Sequence, residues 1–166
     1  MKPMAQRSVG TTFTVNGTRV GGLTSIGGVA RSSETIDVTT LDSDGGYREF
    51  LAGFKSGGEV SLEGFLLHGS SGLDSGQAAM DNLFESGDNA NFVITFPNNV
   101  ASWRFSGIVT AFETSIALED AISFTSQITV SGKPELRQGS GGAGGLSAAA
   151  AVAASAEEKK GKGDKS

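Results

Sequence analysis

The sequence predicts a mainly β protein of the α+β class, built as an antiparallel β-sandwich or barrel with one flanking helix and a long inter-strand loop. Three observations support this class. Short runs rich in β-branched and aromatic residues alternate apolar with polar side chains, as half-buried strands do. Glycine makes up 25 of the 166 residues and proline only 3, which favours turns and bulges. A single segment has the apolar spacing of a helix.

The first strands are predicted to form a hairpin. Residues 12–20, TFTVNGTRV, place Asn16 and Gly17 between two β-rich runs, and both residues tolerate the positive φ of a type I′ turn. The runs LTSIGGVA and TIDVTTL follow as further strands. The run EVSLEGFLL, residues 59–67, has two unlike faces. Its apolar face carries Val60, Leu62 and Leu66, and its polar face carries Glu59, Ser61 and Glu63.

Residues 39–60, TTLDSDGGYREFLAGFKSGGEV, are predicted to form the long loop. The segment has the glycines, aspartates and serines of a loop, and yet it contains four large apolar side chains, Tyr47, Phe50, Leu51 and Phe54. A loop of about twenty residues inside a domain is uncommon and generally functional. Because exposed apolar groups mark partner surfaces, we expect one here. The alternative is that the aromatic side chains fold back on their own core.

The one predicted helix spans Ser75 to Glu85, with Asp74 or Ser75 as its N-cap and Gly87 at its end. Its apolar side is predicted to carry Ala79, Met80, Leu83 and Phe84.

Two β-rich runs follow the helix before the last strand. NFVITFP, residues 91–97, is predicted to be a strand that stops at Pro97. The run 102–118 is a long strand in which Gly107 suggests a bulge or bend, and its Trp103 and Phe105 are predicted to lie in the core.

The clearest strand is AISFTSQITVSG, residues 121–132. One face carries Ile122, Phe124, Ser126, Ile128 and Val130, and the other carries Ser123, Thr125, Gln127, Thr129 and Ser131. The second face is polar and uncharged. A turn at Glu119 and Asp120 is predicted to join this strand antiparallel to the preceding one.

The composition changes after Arg137. We predict that residues 1–138 form one domain and that residues 139–166 form a Gly/Ala-rich, Lys-containing tail that is flexible or dependent on assembly. The net charge of the chain is −5, so bulk attraction to nucleic acid or to an anionic membrane is not expected. The longest apolar run, residues 148–154, is too short to span a bilayer, and no apolar stretch follows Lys2 as in a secretory signal.

No residue pattern points to catalysis, so we expect neither an enzyme nor a cofactor or metal site. His68 is the only histidine and cysteine is absent, and a plain loop residue is the simplest interpretation of His68. Asp42-Ser43-Asp44-Gly45 supplies only two ligands before the glycine of a calcium loop. Glu59 and Glu63 could act as an acid pair, but a solvated strand face is the simpler explanation. The glycine pairs match no phosphate-binding motif.

Three stretches, taken in order, resemble the tail tube (major tail) proteins of long-tailed, non-contractile bacteriophages. They are GTTFTVNGTRVGGLTSIGG, then ETIDVTTLDSDGGYREFLAGFKSGGEVSLEGFL, then WRFSGIVTAFETSIALEDAISFTSQITVSGKPEL. The resemblance covers about residues 9–137. It implies a structural virion protein that forms stacked six-membered rings, assembled in the host cytoplasm. Its partners would be other copies of itself, a tape-measure protein and tail-end proteins, and DNA would pass through the lumen without specific binding.

Two residue sets gain a role from this resemblance. The long loop with Tyr47, Phe50, Leu51 and Phe54 is expected to bury against a neighbouring subunit. The polar strand faces are expected to line the lumen, through Ser123, Thr125, Gln127, Thr129, Ser131, Glu59 and Glu63, because DNA transit needs a wall that does not bind phosphate. The alternatives are a ring or tube component of a related injection machine, such as a distal tail or secretion tube, a monomeric β-sandwich binding module, and a hydrolase with an unrecognised site.

Overall fold

The computed structural model describes residues 5–139, which contain eleven strands and one α-helix. The strands are β1 Thr12–Val15, β2 Thr18–Arg19, β3 Leu23–Ile26, β4 Ser32–Asp37, β5 Phe50–Ser56, β6 Glu59–Phe65, β7 His68–Gly69, β8 Gly72–Leu73, β9 Ala90–Thr95, β10 Ala101–Ser115 and β11 Ser123–Gln138, and the helix is α1 Ser75–Ser86. The tail predicted for residues 139–166 lies almost wholly outside the described residues.

Seven strands form one antiparallel sheet in the order β2-β1-β9-β10-β11-β6-β3. The sheet curls into a half-barrel, and α1 packs on it, mainly against β10. Two short sheets stand apart from it, one made of β4 and β5 and the other of β7 and β8. The predicted class is confirmed: the protein is mainly β, antiparallel, with one flanking helix.

The first hairpin has the predicted turn. Val15 pairs with Thr18, which leaves Asn16 and Gly17 as the two loop residues. Their φ angles are 47° and 84°, as a type I′ turn requires at both positions.

The longest ladder joins β10 to β11, with register shifts between Arg104 and Ser106 and between Val109 and Ala111. Strand β10 has the kind of irregularity that Gly107 suggested, but Gly107 itself is paired on both sides and the two bulges flank it. Its bare Cα is needed for close packing, because a Cβ there would lie 2.6 Å from the carbonyl oxygen of Thr129. Strand β11 continues past Pro134, since the proline falls in the first irregularity, where the ladder needs no N–H.

The core lies on one face of the curled sheet. Phe92 packs between Phe13 and Phe105, with ring centroids 5.8 and 5.5 Å apart. The alternation predicted for β11 is confirmed, because Phe124, Ser126, Ile128 and Val130 are buried. Ile122, just before the strand, is exposed instead. Phe105 is in the core as predicted, whereas Trp103 is only partly buried against it.

The helix has the predicted ends. The Asp74 side chain accepts hydrogen bonds from the backbone N–H groups of Gly76 and Gln77, and Gly87 adopts the left-handed conformation. Met80 is buried as expected, but Phe84 is exposed and the prediction for it was wrong. The polar side chain of Gln77 is fully buried in the space between α1 and the sheet.

Candidate functional site

The segment predicted as a loop over residues 39–60 contains the second strand of a β-hairpin, residues 32–56, which we call the arm. Strand β4 pairs antiparallel with β5, and Ile36 lies opposite Leu51. Phe50, Leu51 and Phe54 are therefore strand residues, and the loop prediction was wrong for them. The connection between the strands is only residues 38–49. Strand β4 overlaps the predicted strand TIDVTTL, whereas β5 was missed because it has no buried face and so shows no period-2 apolar pattern.

The apolar side chains of the arm are exposed. The exposed fractions are 80% for Tyr47, 53% for Phe50, 59% for Leu51 and 87% for Phe54. None of them packs on the core of its own chain, so the alternative that they fold back does not hold for this protomer. An exposed apolar surface of this kind is typical of an interface.

Hydrogen bonds order the tip of the arm, residues 38–49. The Val38 N–H donates to the Glu49 carbonyl oxygen, and a 3₁₀ turn, Asp44–Gly46, reverses the chain through two glycines with positive φ. Arg48 lies 3.7 Å from the Asp37 carboxylate. Hydrogen bonds from the side chain and backbone of Thr39 lower the pKa of Asp37 below its usual range. The tip is thus an ordered, acidic structure.

The structure brings the predicted polar residues of two strands onto one exposed face, which we call the polar face. Thr125 pairs with Glu63, Gln127 with Ser61, and Thr129 with Glu59. Directly paired residues of antiparallel strands point to the same side of the sheet. These six side chains are exposed, as is Ser131, whereas Ser123 at the end of the row is partly buried.

Strand β10 adds five residues to this side of the sheet that the sequence analysis missed: Ser106, Ile108, Ala111, Glu113 and Ser115, which pair with polar-face residues of β11. Glu113 pairs with Thr125, and Ile108 pairs with Thr129. No single strand pattern could have revealed them, because the register of β10 against β11 shifts twice along the ladder. The added glutamate makes the face more acidic than predicted.

The sequence analysis also missed a second apolar surface, the end cluster. It consists of the exposed side chains Phe65, Leu67, Leu73, Ile116, Leu118 and Ile122. Pairing of Phe65 with Ser123, and a hydrogen bond from the Leu66 N–H to the Ile122 carbonyl oxygen, join its parts. The end cluster lies at the end of β6, and the arm joins the start of that strand through Gly57 and Gly58.

A groove of about 1100 Å³ lies where the arm meets the body. Its wall includes the ring of Trp103 and the side chains of Arg31, Lys55 and Lys133. The Arg31 guanidinium lies 5.0 Å from the centre of the Trp103 ring, a cation–π geometry. The three cations are far apart in sequence, which is why no charge run indicated them.

The residues weighed for catalysis or metal binding remain scattered. His68 lies exposed in the short β7–β8 hairpin. Within residues 5–139, no group of three or more His, Asp or Glu side chains is arranged to hold a metal ion. In the same range, α1 is too short and too polar to cross a membrane.

A family model matches residues 12–137, and it is described as the lambda phage tail tube protein, TTP. No curated protein matches the chain.

Several solved structures share the fold. The tail of a gene transfer agent particle, refined with helical and C6 symmetry, has a TM-score of 0.66 at 22% identity, over 79% of this chain and 98% of that one. The SPP1 tail tube protein has a TM-score of 0.58 at 15% identity, over 82% of this chain and 80% of that one. The sheath/tube terminator structure of an extracellular contractile injection system, PVC, has a TM-score of 0.63 at 13% identity, over 81% and 98%.

Proposed function

The chain belongs to the lambda phage tail tube protein family, and on that premise we propose that it builds the wall of a phage tail tube from stacked rings of six copies. DNA leaves the virion through the lumen of this tube. A tape-measure protein fills the lumen beforehand, and tail-end proteins close the tube. Assembly takes place in the host cytoplasm.

The observation that carries this proposal is the exposed apolar arm. A single protomer leaves Tyr47, Phe50, Leu51 and Phe54 in water. Burying each of them fully would contribute about 1.5–3 kcal/mol. Other copies of the same chain are the partners that a tube protein has in abundance. We therefore assign the arm to contacts between subunits.

The end cluster supports the same assignment. The arm and the end cluster adjoin opposite ends of β6, whose seven residues span roughly 20 Å. The arm and the end cluster are two different exposed apolar surfaces at separate places on the protomer. Such a pair favours head-to-tail contacts, which produce closed rings or open helical stacks instead of simple dimers. The C6 helical symmetry of the gene transfer agent tail is such an arrangement.

The polar face is assigned to the lumen. Within residues 59–65 and 123–131 it carries glutamates but no lysine or arginine. The glutamates repel the DNA backbone over about 8 Å at physiological salt and the neutral side chains offer it no cation, so that the DNA slides without being held.

Electron microscopy of the purified protein tests the proposal. We expect tubes with an axial channel and six-fold end views. A monodisperse monomer at every concentration would instead favour a binding module and would overturn the proposal.

A tube of a contractile injection machine is the second candidate, because the PVC structure shares the fold. Micrographs of the native particle separate the two candidates, since a contractile machine surrounds its tube with a sheath whereas the tail proposed here is bare.

Lysines placed on the polar face are expected to make the tube retain DNA. Thr125→Lys and Gln127→Lys together would add two cations per copy on exposed positions, so folding should not suffer. The potential of a charged channel is focused by its walls, so we expect a short fluorescent oligonucleotide to co-sediment with tubes of this variant about tenfold more than with the wild type.

The matched control for this experiment is Asn82→Lys with Ser86→Lys, because it adds the same two cations at exposed positions of α1, away from the polar face. Retention should fall as salt rises. Equal oligonucleotide retention by wild-type and lumen-variant tubes would show that the polar face does not line the channel.

Removing the end cluster is expected to weaken polymerisation. Ile116 and Leu118 are 76% and 93% exposed, so Ile116→Ser with Leu118→Asp should leave the monomer folded. We expect the concentration needed for assembly to rise at least about tenfold, as measured by sedimentation. An unchanged assembly concentration would show that the end cluster is not part of an interface.

A further inference from the structure

The groove at the base of the arm has two kinds of wall that together suit an acidic aromatic segment. Trp103, Val130 and Pro134 supply apolar surface, and Arg31, Lys55 and Lys133 supply positive charge. None of these three cations forms an ion pair within the described residues, whose two ion pairs involve Arg48 and Arg137. The groove is therefore a cationic pocket whose three cations form no ion pair within the described residues.

The tip of the arm has the complementary chemistry. Asp42, Asp44 and Glu49 are exposed carboxylates, and Tyr47 lies among them with its ring in solvent. The 3₁₀ turn and the strand pairing hold these side chains on one ordered loop. The carboxylates of the tip are complementary in charge to the cations of the groove, and the Tyr47 ring can pack against the Trp103 ring.

A chain cannot fill its own groove with its own tip. Ser32, Ser33, Lys55 and Ser56, at the base of the arm, line the groove. The paired strands then carry the tip away over six or seven residues, about 20 Å. The occupant must come from another molecule, and an identical copy carries the matching tip.

We propose that the acidic tip of one copy docks in the cationic groove at the base of the arm of the next copy, with Tyr47 against the face formed by Arg31 and Trp103. This rests on the proposed tube function and names the surface that receives the arm. Each copy offers one tip and one groove at different places, so the contact is heterologous and propagates from copy to copy.

Charge reversal on each side tests the docking. Variant G carries Arg31→Glu and Lys133→Glu, and variant T carries Asp42→Lys and Asp44→Lys. Like charges facing each other should raise the concentration needed for assembly at least about tenfold in either variant alone. An equimolar mixture should assemble at close to the wild-type concentration. In the mixture, the acidic tip of G meets the unchanged groove of T, and the lysine tip of T meets the acidic groove of G.

Sedimentation velocity is the measurement, because it detects every species from dimer to tube. The control is Arg19→Glu with Arg104→Glu, which changes the net charge as G does at exposed positions that do not line the groove. Circular dichroism verifies that G and T are folded, and rescue in the mixture verifies it again.

The outcomes separate this inference from the proposed function. If the wild type forms tubes, two results would overturn the tip-in-groove contact alone and leave the groove to another ligand. One is normal assembly of G. The other is a mixture of folded G and folded T that stays monomeric. A wild type that never associates would overturn the docking and the tube function together.

Discussion

A chain carrying Phe50→Ala and Phe54→Asp is expected to remain a folded monomer and to form no tubes. Phe50 and Phe54 are 53% and 87% exposed, so the protomer loses little packing when they change. The assembled state would lose the burial of the exposed parts of two aromatic rings, about 2–4 kcal/mol per copy, and would have to accommodate a carboxylate in an apolar contact. The measurement is negative-stain microscopy, with sedimentation velocity for the species that remain.

Phe84→Asp provides the matched control for this change. Phe84 is an exposed aromatic residue on α1, at 41%, and the same substitution there removes a ring and adds a charge away from the arm. We expect this variant to assemble. Normal tubes from the double arm variant would refute the assignment of the arm to subunit contacts, whatever the control shows.

Gln77→Leu is expected to cost about 3 kcal/mol or more of the free energy of unfolding. The Gln77 side chain is fully buried and makes three hydrogen bonds. Its Oε1 accepts from the Leu67 N–H at 3.0 Å, and its Nε2 donates to the carbonyl oxygens of Gly21 and Phe65, each at 2.9 Å.

The size of this effect follows from what leucine leaves behind. The substitution keeps the volume but leaves one N–H and two carbonyl oxygens of the partly buried neighbouring backbone without their partner, at about 1–3 kcal/mol for each group that water does not reach. Part of that cost is recovered where water reaches a freed group. A loss of this size is a large fraction of the roughly 5–15 kcal/mol that stabilises a domain.

Urea unfolding measures the loss, and the arm double variant is the suitable host because it keeps the protein monomeric. Asn82→Leu is the control, since Asn82 is exposed on the same helix and its substitution should change the free energy by no more than about 0.5 kcal/mol. A change within that limit for Gln77→Leu would mean that water replaces all three hydrogen bonds.

The parts of the fold predicted correctly are those whose signal is local. Asn16 and Gly17 specify their turn by backbone preference alone. The alternation of β6 and β11 records burial on one face, and the caps Asp74 and Gly87 satisfy helix ends within a few residues. Each of these signals is readable without knowing what the element contacts.

The errors arose where the signal depends on a distant partner. Strand β5 pairs with β4 but buries neither face, so its residues look like a loop. Gln77 was not recognised as a buried residue, because its partners lie in segments around Gly21 and Phe65. The bulges of β10 depend on register against β11, which is set by the whole ladder.

The candidate surfaces divide in the same way. The sequence by itself determined which residues are apolar on the arm and which are polar on β6 and β11, because side-chain period and composition are local properties. Only the tertiary structure decided that the arm aromatics stand in solvent, that Glu59 and Glu63 lie beside Thr129 and Thr125, and that three distant cations surround Trp103. The physical reason is that a face or a groove is made by strand pairing between remote segments, and a one-dimensional pattern does not contain the register of that pairing.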